Sequence, residues 1–494
     1  MKNRYIQAVS ANYANLIIST VFFLIITPLA IRIMGDEIYG IWTIINAFLL
    51  FSSVGTFGMG LVVNKFGAEE GADALSHETI LSIAAVIVLA IATLICGGML
   101  IFRMWFANNL VADPLLQEQL YLGFIFIALS LYPVFLGKVF QGYLFSQLRY
   151  GTGKAIETVT NILLWTGAVI IIWLSNNLVY LSVLVFFIQL VSISFYFYLV
   201  MRKRKFTFQW KSNAFRKMWT FSKSAFIQSL SISLFQNFDR LLVGFVLGPS
   251  IAGAYSVGTS IGLRQMKITN QLSSVLVPYA SKKESLRQPR DLFEVSNLIS
   301  RLNNVLLMVV GGLLILWMEP ILKIWISAEF SENYSRAFQI IILAYILISA
   351  ASPRMQTLVG IGQIKVTSRI YFSSTILMLL LLYFLSNRWG MIGAAMSNFV
   401  MVLLLINWAI LPKYLGVKDP KGFYLRSLFE LVLVPSGIFF VVSILDINLI
   451  HRILLTLVLV LIVFFYLNAD VELTTIIKRF IYDNLPKKNS TISE

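Results

Sequence analysis

The sequence predicts an all-α, polytopic membrane protein of about fourteen transmembrane helices, built as two six-helix repeats plus two C-terminal helices around a central cationic cavity. Three observations carry that prediction. Only 13% of the 494 residues are charged, against about a quarter in soluble domains. Apolar runs of membrane-crossing length recur from one end of the chain to the other. A nine-residue motif occurs twice, at the start of each proposed repeat.

A bilayer core needs about 20 apolar residues per helix. On that criterion the runs fall at 9–34, 38–64, 79–106, 115–142, 153–175, 179–201, 218–248, 251–279, 298–320, 336–360, 366–386, 390–412, 424–445 and 451–468. The first, "MKNRYIQAVSANYANLII", lacks a small-residue cleavage site and reads as a retained span. Connections are short, and the basic block "RKRKFTFQWKSNAFRK" divides the chain. The expected domains are a six-helix bundle over 1–201, a basic linker over 202–217, a second bundle over 218–413, two further helices over 414–468 and a cytoplasmic tail over 469–494. The single cysteine, Cys96 in "TLICGGML", excludes an internal disulfide and reads as a packing residue.

The net charge of +16 invites a nucleic-acid reading, which the placement of the charges removes. With both termini on one side, 28 of the 39 Lys and Arg fall on that side and six on the other. The remaining five, Lys138, Arg240, Arg264, Lys267 and Arg354, lie inside spans. Such a bias puts both termini in the cytoplasm. The basic character is topology, and no nucleic-acid partner is expected. "SKKESLRQPRDLFEV" (281–295) reads as a surface segment beside anionic membrane lipids.

"MGDEIYGIW" (34–42) and "LGPSIAGAY" (247–255) share the pattern [ML]-G-x-x-I-x-G-[IA]-[WY], 213 residues apart. A weaker echo pairs "QLRYGT" (147–152) with "QIKVTS" (363–368). Internal repeats are a mark of transporter folds.

Polar residues recur at helical spacing inside the spans. Ser256, Ser260, Arg264, Lys267, Gln271 and Ser274 form one face, and Ser222, Ser229, Ser233, Gln236 and Arg240 another. Asn12, Asn15 and Ser19 mark the first span, and Asn46, Ser53, Gly60 and Asn64 the second. Lipid cannot solvate such faces, so they line a water-filled cavity or join helices by hydrogen bonds. Arg264 and Lys267 favour the cavity, because a mid-span charge costs about 2.5–3.5 kcal/mol on insertion scales. Lys138 and Arg354 lie near cytoplasmic span ends, where a long side chain reaches the surface.

Asp239 reads as the only carboxylate well inside a span. It is the candidate for proton or sodium coupling, and equally a partner for a basic side chain. The expected substrate-binding set is Arg240, Arg264, Lys267, Asn12, Asn15, Asn46, Gln236 and Gln271. Its surplus of positive charge suits a phosphate or pyrophosphate head group.

Several chemistries find no residues. "YGTGKA" (150–155) has Leu148 where a phosphate loop needs its first glycine, so no nucleotide cofactor is expected. His77 and His451 lie in different connections and make no metal site alone. No long loop carries the paired carboxylates of a membrane glycosyltransferase or polymerase, so an enzyme is not expected.

"YGIWTIINAFLLFSSVGTFGMGLVVNKFG" (39–67), "FDRLLVGFVLGPSIAGAYSVG" (238–258), "LSSVLVPYASK" (272–282) and "WGMIGAAMSNFV" (389–400) resemble the polysaccharide repeat-unit, or O-antigen, flippases of the MATE-like multidrug/oligosaccharidyl-lipid/polysaccharide exporter superfamily. The resemblance covers essentially every span. It implies movement of undecaprenyl-pyrophosphate-linked oligosaccharide across the inner membrane by alternating access, through a cationic lumen. It further implies a polysaccharide polymerase and chain-length regulator as partners, and gives Asp239 and Arg240 the family's span-seven motif positions. Thr56-Phe57-Gly58 departs from the Asp-Leu-Gly of many relatives, which removes a charge from span two. The alternatives within the superfamily are a MATE-type multidrug/cation antiporter, which favours carboxylates in its lumen, and a peptidoglycan-precursor flippase.

Overall fold

The structure is a computed structural model that describes residues 2–69, 75–202, 207–285, 288–418, 421–445 and 448–469. Among the described residues every regular element is helical and there is no strand. A helix satisfies all its backbone groups internally, which is what an apolar sequence in lipid requires. Polar residues mark the ends. Ser76 caps helix His77–Leu110 by accepting from the Thr79 N–H, and Asp113 caps Pro114–Ser146 by accepting from Leu115 N–H at 2.9 Å. Asn176, left-handed at φ 46°, closes helix Tyr150–Ser175, and Asn177 caps Leu178–Met201.

Ten helices among the described residues are long and apolar enough to cross a membrane, fewer than the sequence runs. Two of the ten merge neighbouring runs. Asn15–Thr56 has 42 residues and Ile364–Leu415 has 52. At 1.5 Å per residue these measure roughly 60 and 80 Å, twice or more a bilayer core of about 30 Å. Each is broken by a non-helical glycine, Gly35 (φ 72°, ψ 167°) in the first and Gly390 (φ 56°, ψ −137°) in the second. Pro249–Ser273 falls short because its polar face lowers its hydropathy, and the described apolar stretch Leu449–Phe465 is short.

The chain forms two compact units. One comprises 1–260, 324–330 and 371–400; the other comprises 261–323, 331–370 and 401–494.

In the first unit the two motif copies meet. Gly248 adopts φ 86°, ψ 169°, nearly the conformation of Gly35 at the matching motif position. Both lie where an L side chain is strained, so each turn needs its glycine. Five residues on, Gly40 and Gly253 allow the backbones to touch. A Cβ on Gly40 would lie 1.9 Å from the Pro249 carbonyl oxygen, and one on Gly253 would lie 3.1 Å from Gly40 Cα. Trp42 and Tyr255, which end the two motifs, are both fully buried. Small residues at crossings are the usual way membrane helices pack.

The weaker sequence echo lies beside two turns of like conformation, in a different register. Leu148 (φ 57°) and Gly362 (φ 78°) each end a helix in the same pattern. Arg149 N–H donates to Leu144 O at 2.9 Å, and Gln363 N–H to Leu358 O at 2.8 Å. The turns therefore match Leu148 with Gly362, two residues off the register that pairs the two glutamines.

In the second unit buried amides tie helices together. Asn304 Nδ2 donates to Ser427 Oγ at 3.0 Å, and Gln339 Nε2 to Ile315 O at 3.0 Å. Arg452, 4% exposed, pairs with Glu319 at 2.5 Å and also donates to Leu316 O, which fastens helix Leu449–Ala469 to Pro289–Trp325.

Candidate functional site

Asp239 begins an α-helical segment, Asp239–Leu247, that follows a π-helical turn over Leu234–Phe238. A π turn inserts an extra residue and shifts the helix register, a device common at functional sites. A regular helix would align Ser233, Gln236 and Arg240. With the wide turn between them, Asp239 is the residue that is buried, at 1% exposure, while Gln236 and Arg240 are half-buried.

The Asp239 carboxylate is held by a polar chain. It accepts from its neighbour's backbone, Arg240 N–H, at 2.8 Å, and hydrogen-bonds the Tyr255 hydroxyl. Asn398 Nδ2 in turn donates to Tyr255 Oη at 3.1 Å. Tyr255 is the last residue of the second motif copy, so the motif crossing and the buried carboxylate are one piece of structure. The Arg240 guanidinium turns away to Ser260 Oγ at 3.3 Å. Sequence reading missed Tyr255 and Asn398. The signal for Tyr255 was its place opposite Trp42 in the repeated motif.

Asn46 and Asn15 lie elsewhere in the same unit. Asn46 donates to Trp42 O at 3.0 Å and lines a cavity of about 100 Å³ together with Lys138, Gln141, Glu157, Asn161 and Tyr196. Lys138 does not simply reach for the surface. Its ammonium lies 3.4 Å from Glu157, which also meets Lys154 at 2.7 Å and Gln141 Nε2 at 3.0 Å. Glu157, like Glu430 in the second unit, is a further carboxylate inside a membrane helix, so Asp239 is not the only one. Asn15 accepts from Thr158 Oγ1, one residue along, and so joins two helices. The Asn12 side chain lies outside the described residues. Ser222, which donates to Phe57 O at 2.5 Å, likewise serves as a helix tie.

In the second unit Arg264 and Gln271 are half-buried and Lys267 is exposed. Arg354 is fully buried, contrary to its reading as a surface-reaching side chain. Its Nη1 donates to Trp408 O and its Nη2 to Asn297 Oδ1, both at 2.5 Å. Its guanidinium sits 4.0 Å from the Phe423 ring centroid and 5.4 Å from that of Phe293. Short-range partners and aromatic faces make this cation a packing element rather than a ligand group. No group of three His, Cys, Asp or Glu side chains suited to a metal occurs among the described residues.

Ten apolar helices among the described residues, two of them broken by glycine into double-length runs, define a multi-pass membrane protein, and its fold is that of the MATE-like exporters. It is similar to lipid II flippase MurJ in an inward closed conformation, with TM-score 0.72 at 14% identity over 94% of this chain and 99% of that one. It is also similar to an inward-facing multidrug resistance MATE family transporter of the MOP superfamily, with TM-score 0.68 at 12% identity over 80% of this chain and 94% of that one. In sequence it is 21% identical over 389 residues to the "Putative O-antigen transporter" of Shigella flexneri, covering 76% of this chain and 90% of that protein. The polysaccharide biosynthesis protein family matches residues 6–284, and the chain belongs to that family.

Proposed function

We propose that the protein is a flippase that translocates undecaprenyl-pyrophosphate-linked oligosaccharide across the bacterial inner membrane by alternating access. The observation that carries the reading is family membership together with three basic side chains, Arg240, Arg264 and Lys267, set on the polar faces of helices in a membrane protein. Cations there are unfavourable unless something anionic or aqueous meets them. A surplus of positive charge there suits a lipid-linked pyrophosphate better than a cationic substrate. The reading is of a transporter, not an enzyme, formed by six-helix bundles over 1–201 and 218–413, with a proton or sodium ion as coupling partner. A polysaccharide polymerase and a chain-length regulator act downstream of it.

Arg264→Ala combined with Lys267→Ala is expected to leave the protein inserted at normal level and to stop surface glycan assembly. Lys267→Arg retains part of the activity, because charge matters more than donor geometry. Surface polysaccharide in a strain lacking the native gene decides the point, and normal glycan from the doubly neutral variant refutes the reading. Rescue of a strain depleted of its peptidoglycan-precursor flippase would instead assign that lipid as substrate.

The charge bias predicts that a reporter fused after Asn176 reports the periplasm and one fused after Lys211 the cytoplasm. A shared compartment would sink the topology. Asp239 is the coupling candidate. Asparagine at that position can still accept from Tyr255, so Asp239→Asn is expected to keep the fold while transport loses its dependence on the proton or sodium gradient, or ceases. Full flux with unchanged gradient dependence would make Asp239 structural.

A further inference from the structure

The second unit contains a cavity of about 820 Å³ between the start of helix Pro289–Trp325 and the start of the helix that begins at Lys421. Ligand pockets span roughly 300–1,000 Å³, so this one has room for a head group. Arg290, Arg301, Lys418 and Arg426 line it, against Glu294 and Glu430. The lining therefore carries a surplus of positive charge. The first turns of both helices contribute to the lining through Arg290 and Gly422.

The walls give the field a fixed backing. Phe293 and Phe423, both nearly buried, separate the cavity from the Arg354 guanidinium described above. Asn297, a lining residue, is held in place by that same guanidinium. At the floor, Glu430 is 1% exposed and sits in a second π-helical turn, Phe429–Leu433. The arginines are thus arranged on a rigid frame and not on a mobile loop.

The lining is charged, and the helices that carry it run on into apolar segments. Both helices that frame it are long and apolar enough to enter the membrane. Leu425 and Leu433 are exposed along the second of them, at 70% and 58%. Neither leucine lines the cavity, so a soluble anion would use the charged lining alone. An amphiphile with a phosphate head and an apolar tail would use the lining and the exposed leucines that follow on the same helix.

We propose that this cavity binds the phosphate-bearing head group of a membrane lipid, with Arg301 and Arg426 as its principal phosphate ligands. The segments that build it lie on the side where the charge bias puts the cytoplasm, and the cytoplasmic leaflet is the anionic one. Arg240, Arg264 and Lys267 do not line this cavity, and the inference does not depend on which lipid the protein transports.

The test is equilibrium binding of radiolabelled farnesyl pyrophosphate to the full-length chain in phosphatidylcholine nanodiscs. It uses the Arg264→Ala/Lys267→Ala background, so failure of the transport reading and failure of this site are told apart. Saturable binding is expected, and Arg301→Gln with Arg426→Gln should weaken it about tenfold or more, since each lost charge-assisted hydrogen bond is substantial. Arg301→Lys with Arg426→Lys should fold and bind within about threefold, because a lysine still supplies a phosphate-binding point charge. Unchanged affinity in the glutamine pair, or displacement by farnesol as effective as by farnesyl pyrophosphate, overturns the proposal. Inorganic pyrophosphate competing as well as farnesyl pyrophosphate overturns the lipid source and assigns the site to a soluble phosphate.

Discussion

Gly40→Ala is expected to abolish accumulation of folded protein. The new methyl would lie 1.9 Å from the Pro249 carbonyl oxygen and 2.2 Å from its carbon, and neither is a side chain that can rotate aside. The two backbones must separate, which strips contacts from Trp42 and Tyr255 on either side. Overpacking of this kind costs about 3 kcal/mol where the neighbours cannot give. Gly253→Ala is milder, since its methyl would meet Tyr39 and Gly40 at 3.0–3.2 Å. Gly97→Ala meets nothing within 4 Å and serves as the neutral control. Thermal stability in detergent, compared across the three, checks the order. An alanine at Gly40 that is as stable as one at Gly97 would refute the crossing.

Arg354→Met should be nearly as damaging. Methionine fills part of the volume but supplies no donor, so the Trp408 carbonyl and Asn297 Oδ1 each lose a hydrogen bond in a buried site. Leaving a buried acceptor such as the Trp408 carbonyl unsatisfied costs about 1–3 kcal/mol, to which the lost packing against Phe423 adds. Arg354→Lys keeps the charge but cannot reach both acceptors and lie flat on Phe423, so it should fall between methionine and wild type. The same thermal measurement reads this series, with a lysine variant as stable as wild type counting against the bidentate account.

The helices were legible because lipid imposes a pattern on sequence, long apolar runs joined by short polar connections. The paired motif was legible because its glycines are required by backbone geometry, at Gly35 and Gly248 for the turn and at Gly40 and Gly253 for the crossing. What escaped was whatever depends on residues distant in the chain. Arg354 looks like a side chain near a span end until Asn297, Trp408 and Phe423 are brought around it. Lys138 looks solvated until Glu157, on another helix, comes within 3.4 Å. The π turn before Asp239 has no signature in "LFQNF", so a regular spacing placed Gln236 and Arg240 on one stripe and left the Asp239–Tyr255–Asn398 chain unseen.

The Gly40–Pro249 crossing also sets a timetable for synthesis. Its two halves are 209 residues apart in the chain. A ribosome adding about 5–20 residues per second delivers the second half roughly 10–40 s after the first. Throughout that interval the segment around Trp42 sits in the bilayer with its closest-fitting neighbour not yet made. The N-terminal helices must therefore persist as a waiting intermediate, held by their own apolar faces and by contacts such as Asn15 with Thr158. The second motif does not add to a finished domain when it emerges; it completes an unfinished one.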